Sequence, residues 1–209
     1  MGPAGSNGAP FDILFVCFGN ICRSPMAEGI ARDIVARRYP GAQSLVRVSS
    51  AGVGAQDGNP PTPEAVEAMA ERGIDISSHR ARKVTAEILA AADLVLAMEQ
   101  RQGVRLRDMG TAGGPVQVLM KLGEAARGVE SLQAGRGAEK SVRERLERLR
   151  LLTEEMDLEG LWQEPEYAYD VPDPIGLTVD GYVTVAARME AAIGDTLRTL
   201  LEGRADPVG

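Results

Sequence analysis

Histidine and cysteine are almost missing from these 209 residues: there is one histidine, His79, and two cysteines, Cys17 and Cys22. That scarcity excludes a multi-cysteine zinc site and a disulfide scaffold. A Ser-His-Asp hydrolase would have to use His79, and no nucleophile-elbow motif lies near it. Long apolar runs are also missing. None approaches the roughly 18 residues that span a bilayer, and no basic segment followed by an apolar core marks the N-terminus. Excess positive charge is lacking too, because the net charge is −7, which argues against general binding to nucleic acid or anionic membranes. A cytoplasmic protein is expected. The hydrophobic and charged fractions, 44% and 25%, are ordinary for a globular chain. The length suits one α/β domain, with or without an insertion.

What the chain does have is concentrated in Val16-Cys17-Phe18-Gly19-Asn20-Ile21-Cys22-Arg23-Ser24-Pro25. The apolar run from Ile13 to Val16 predicts a strand, and a helical pattern leaves at Pro25, with Ser24 as its expected N-cap. Strand, tight turn and helix start aim backbone N–H groups at one small volume, where unpaired donors and the helix dipole favour an anion. A thiol in such a place is stabilised as thiolate, so Cys17 is a candidate nucleophile. Arg23 offers a planar fork that matches two phosphate oxygens, and Gly19 allows close approach of the backbone. A lone cysteine in an apolar strand is usually inert core, and Cys-x5-Arg alone is a weak pattern. Here glycine, Ser-Pro and both flanking elements agree with the chemistry.

This stretch resembles the signature of the low-molecular-weight protein tyrosine phosphatase family, Val-Cys-x-Gly-Asn-x-Cys-Arg-Ser-Pro, almost throughout. Other segments fit the resemblance, among them Ser50-Ala51-Gly52, His79-Arg80-Ala81-Arg82 and the late Asp170-Val171-Pro172-Asp173-Pro174. The resemblance implies phosphate held by Phe18, Gly19, Asn20, Ile21, Cys22 and Ser24 with Arg23, and attack by Cys17. It also implies proton transfer by Asp173, with Asp170 as runner-up. Asn20, Ser50 and His79 would support the loop. Asn tolerates positive φ, which gives Asn20 an independent physical basis. Ser24 would hydrogen-bond the Cys17 sulfur. Cys22 either packs or forms a reversible disulfide with Cys17 that protects it from overoxidation. No metal or cofactor is implied, and the partner is a phosphorylated protein.

Periodicity supplies the framework. Met26, Ile30 and Ile34 mark a helix over 25–38, and 45–49 suits a second strand. Thr62-Pro63 opens a helix that Gly73 stops. Thr85 caps a short helix, 94–98 and 115–119 are strands, and 99–108 is helical. Alternation of this kind predicts a single-domain α/β fold, a doubly wound four-stranded parallel sheet flanked by helices, with ligands beyond the carboxyl ends of the strands. Residues 127–166 are expected to form a helical insertion beside the site mouth, before the Asp-Pro loop. In it Ser141 and Glu144 form a capping-box pattern and Val142, Leu146, Leu149 and Met156 share a face. From Glu154 through Asp173 there are eight acids and no base. Thr178 caps the last helix, whose Val183, Ala187, Ile193, Leu197 and Leu200 form its inner stripe. The expected domain is 11–203, between a disordered tail at 1–10 and a C-terminal tail at 204–209.

The chain departs from the family pattern where tyrosine-phosphate enzymes place aromatic walls. Ile175-Gly176-Leu177 follows the Asp-Pro pair, and Val53-Gly54-Ala55-Gln56 follows Ser-Ala-Gly; Phe18 and Tyr169 are candidate replacements. A protein arginine phosphatase of the same fold is the nearest alternative, although Ile21 stands where that branch has Thr, and an apolar side chain suits a phenyl ring better than a guanidinium. An arsenate reductase would need an external thiol, since no cysteine follows Cys22. A phosphate-reading binding module would need neither nucleophile nor acid.

Overall fold

The computed structural model describes residues 9–110, 112–131, 141–160 and 166–202. The expected tails lie largely outside these residues. Four strands, β1 (Phe11–Cys17), β2 (Val46–Gly52), β3 (Leu94–Ala97) and β4 (Val116–Val118), form one sheet in the order β2-β1-β3-β4. All its pairings are parallel, with Cys17 opposite Gly52 and Phe15 opposite both Ser50 and Leu96. β1 is central because it is apolar on both faces: Phe11, Ile13 and Phe15 enter one core layer, and Leu14 and Val16 the other. A strand covered on both sides is what crossover helices produce. Its carboxyl end, at Cys17, is therefore the floor of a crevice at the sheet edge.

The larger layer is built by α1 (Arg23–Arg38), α2 (Pro63–Ala70), α5 (Leu119–Ser131), α6 (Val142–Glu159) and α7 (Val179–Leu201). The opposite layer holds α3 (Ala86–Ala91) and α4 (Gln100–Asp108). Met26, Ile30 and Ile34 are buried as their spacing predicts. Caps agree as well: Thr62 Oγ1 accepts from Ala65 N and Thr85 Oγ1 from Ile88 N. Both halves of the Ser141–Glu144 capping box are present. Gly73, at φ 72°, stops α2, and Ile74 N donates back to Met69 O, the bond of a Schellman ending.

Several expectations are corrected. α1 begins at Arg23 with Cys22 at the N-cap, so Ser24 is not the cap and Pro25 sits inside the first turn. The missing proline N–H is still harmless there, because no first-turn amide has a helical acceptor. α5 was not anticipated: its glycines, Gly123 and Gly128, and its short apolar spacing hide a 13-residue helix that begins directly after β4. Ala187 is exposed; Tyr182, Val185, Ala186 and Met189 form the inner face of that part of α7. Thr178 stands at the N-cap of α7 without a side-chain bond.

α6 lies against α5 and α7, burying Leu146 and Leu149, and its first turn reaches the amino edge of the sheet through Arg143–Asp93. Toward its other end Asp157 pairs with Lys121, whose Nζ is 5.9 Å from the Tyr169 ring centroid. No described helix is long and apolar enough to cross a membrane.

Candidate active site

The turn from β1 into α1 wraps around the sulfur of Cys17. Asn20 N donates to Sγ at 3.2 Å, and Ser24 Oγ lies 3.0 Å away. Among the described residues no protein acceptor takes the amides of Phe18, Gly19, Ile21 or Cys22. The amides of Arg23 and Ser24 open α1, where helical acceptors do not exist. Backbone donors without a protein acceptor, clustered beside a sulfur, form an arrangement that can hold an oxyanion.

The closing of this ring depends on Asn20, fully buried at φ 55°. Its Nδ2 donates to Ser24 Oγ and Ser50 Oγ, both at 2.9 Å, and its Oδ1 accepts from Arg82 N at 2.9 Å. His79 Nε2 lies 3.0 Å from Asn20 O; a carbonyl only accepts, so Nε2 carries the proton. Burial pushes the His79 ring below its ordinary value despite this bond. Ser50 Oγ in turn donates to Glu28 Oε2 at 2.6 Å. Because Ser24 Oγ accepts from Asn20, its own hydrogen is free for sulfur or for Ala51 O at 3.3 Å. Gly52 completes the contact between β2 and the loop: a Cβ there would lie 2.5 Å from Phe18 O and 2.9 Å from Asn20 N. Ser50 and Gly52 thus have separate physical roles. Arg82, from a cluster that could have been mere solvated surface, adds a bond from Nε to Ser50 O.

Arg23 is 2% exposed. Its Nη1 donates to Glu99 Oε1 and, at 2.9 Å, to Val171 O; its Nη2 donates to Asp173 Oδ2 at 2.9 Å. A guanidinium has five N–H donors, so Nε–H and one Nη2–H are left on the edge that grips two oxygens side-on. Glu99 is the residue the sequence reading missed. Burial raises its carboxyl, but hydrogen bonds from Arg101 and Arg23 outweigh that and hold it below its ordinary value. The available signal was its position, an acid two residues past a wholly buried strand at the carboxyl edge of the sheet.

Asp173 is brought to Arg23 from 150 residues away. Asp170 is not: its Oδ1 accepts from Gln100 N at 2.8 Å, making it a cap for α4. Cys22 is buried, and burial, the Cys17 sulfur and Asp173 push its thiol up to about 12. Both cysteines are free. Phe18 is half exposed and its ring covers Gly54, where a Cβ would approach within 2.7 Å. Tyr169, the other candidate for an aromatic wall, is buried, and its hydroxyl donates to Glu124 Oε1 at 3.1 Å. Ile175 and Leu177 are exposed beyond the Asp-Pro pair. Among the described residues no cluster of three His, Cys, Asp or Glu could hold a metal ion.

A sequence model described as low molecular weight phosphotyrosine protein phosphatase matches residues 12–148. Among curated proteins, the chain is 46% identical over 114 residues to a probable low molecular weight protein-tyrosine-phosphatase, EpsP of Ralstonia nicotianae, covering 54% of this chain and 70% of that one. Among solved structures it is similar to YfkJ of Bacillus subtilis, with a TM-score of 0.65 and 26% identity over 94% of this chain and 98% of that one. It is also similar to the arginine phosphatase YwlE, with a TM-score of 0.62 and 29% identity over 91% and 95%. The matched family segment contains Cys17, Arg23, Ser50 and His79 and ends before Asp173.

Proposed function

Because the chain belongs to the low molecular weight phosphotyrosine protein phosphatase family, whose members are phosphoric monoester hydrolases, we propose that it hydrolyses phosphotyrosine in proteins with Cys17, Arg23 and Asp173 as its working groups. The observation that carries this reading is the Cys17 sulfur bound by Asn20 N and Ser24 Oγ in a loop whose other amides have no protein acceptor, with Arg23 at the end of the same loop keeping donors unpaired. Sulfur attacks phosphorus in line, and the P–O bond to the phenol breaks. The loop amides and Arg23 hold the three non-bridging oxygens as charge shifts among them. Asp173, in its protonated form, gives its proton to the departing phenolate oxygen. Asp173 then takes a proton from the water that attacks the cysteinyl phosphate. Ser24 donates to the sulfur as the P–S bond breaks, and the thiolate returns.

Asn20, Ser50 and His79 hold the loop in shape, and Glu99 positions Arg23. Exposed Phe18 and half-buried Ile21 give an apolar approach suited to a phenyl ring, which a guanidinium would enter at the loss of its hydrogen bonds. A reduced, cytoplasmic setting fits two free thiols.

The test is phosphate release from a phosphotyrosine peptide and a phosphoarginine peptide side by side, without added metal. Cys17→Ser serves as the blank. Preference for phosphotyrosine is expected; preference for phosphoarginine, the activity named for YwlE, would keep the mechanism and replace the substrate. Asp173→Ala should slow poor leaving groups far more than good ones. An equal loss on both would remove Asp173 as the acid.

A further inference from the structure

Glu99 holds two guanidiniums: Oε1 takes Arg23 Nη1, and Oε2 takes Arg101 Nε. The two arginines differ sharply in environment, since the Arg23 side chain is 3% exposed and that of Arg101 is 79% exposed. One carboxylate therefore separates the phosphate-gripping cation from a cation in open solvent. The Nε bond fixes the plane of the Arg101 fork, and its two Nη groups meet no acceptor among the described residues. Two further carboxylates act on the charge of Arg101 without taking a hydrogen bond from it: Asp170, which accepts from Gln100 N, and Asp173, which accepts from Arg23.

Arg105 stands one turn along the same exposed face of α4, with half-exposed Val104 beside it. Its side chain makes no hydrogen bond or ion pair with any described residue. Like charges four residues apart on a helix repel, and the packing of α4, which rests on Gln102, Gly103 and Leu106, does not require them. This positive face lies on a protein of net charge −7.

We propose that the exposed face of α4, with Arg101 next to the phosphate site and Arg105 beyond it, recognises carboxylates flanking the phosphotyrosine of a protein substrate. A guanidinium fork matches a carboxylate with two parallel hydrogen bonds. Arg101 has its remaining donors fixed in direction before substrate arrives. This inference rests on the phosphotyrosine phosphatase reading above and adds a substrate class to it.

The experiment measures kcat/KM of the full chain on three phosphotyrosine peptides that are identical except for Glu, Gln or Lys on either side of the phosphotyrosine. An exposed ion pair changes an equilibrium by up to about fivefold, so the Glu peptide should exceed the Lys peptide by about that factor at low salt. The ratio should fall toward one at high salt as the charges are screened. In Arg101→Gln/Arg105→Gln it should collapse at low salt, and in Arg101→Lys/Arg105→Lys it should largely return. The ratio is taken within each variant, so any loosening of Glu99 and Arg23 affects all peptides alike and cancels. Turnover without an acidic preference, or a preference that survives the double Gln variant, overturns the inference alone. No turnover of any phosphotyrosine peptide overturns the functional reading, and this inference with it.

Discussion

At Asn20 a left-handed backbone coincides with hydrogen bonds to Ser24, Ser50, Arg82 and His79. Glycine would tolerate the φ but supply none of the side-chain bonds, and alanine would supply neither. The residue type is therefore dictated by the site. His79 shows the complementary case, a ring whose titration reports on the same loop. Its value in the folded protein lies below the ordinary 6.5 because burial opposes the charged form. As pH falls through 6.5 the unfolded chain takes the proton first, so stability is full above that value and is lost as pH falls through the depressed folded value. Urea midpoints measured between pH 8 and 5 should decline for wild type more steeply than for His79→Gln, which has no proton to take up in this range. Identical slopes would show that burial of His79 is not coupled to stability.

Among the elements, α5 and α7 approach closely at Gly123, where an added Cβ would lie 2.7 Å from both Cα and Cβ of Ala192. Backbone at that distance cannot step aside as a flexible side chain can. Gly123→Ala should therefore destabilise the protein by about 1–3 kcal/mol through overpacking. Gly128 lies in the same helix and has no heavy atom within 4 Å of such a Cβ. Gly128→Ala should stabilise by about 0.5–1 kcal/mol, the ordinary helical preference for alanine over glycine. Thermal unfolding of the two variants tests the pair; equal and opposite signs from those stated would refute the interhelix contact. Both glycines hide α5 in the sequence: their cost to an isolated helix is local, and the close packing that offsets it at Gly123 is not. α6 was visible because its start is written locally in Ser141 and Glu144.

Across the whole molecule, the loop around Cys17 is bonded to segments far from it in the sequence. β2 contributes Ser50, the 79–82 segment contributes His79 and Arg82, and the late loop meets Arg23 through Val171 and Asp173. An oxyanion bound there should stabilise the domain as a unit. At a hundred times its Kd, inorganic phosphate should add about 2.7 kcal/mol to wild type, a rise of about 5–10 °C in Tm for a chain of this size. Calorimetry showing no rise at saturation would mean that the loop folds independently of the rest. The sequence by itself determined the strand-loop-helix around Cys17, the alternation that makes a parallel sheet, and the caps of α2, α3 and α6, because each depends on residues within a few positions of one another. Tertiary structure alone decided that Asp170 caps α4, that Tyr169 is buried, and that Glu99 bridges Arg23 to Arg101. Those outcomes depend on where the late loop crosses the carboxyl edge of the sheet, at Val171 N on Met98 O. A contact between residues 73 positions apart leaves no trace in local spacing.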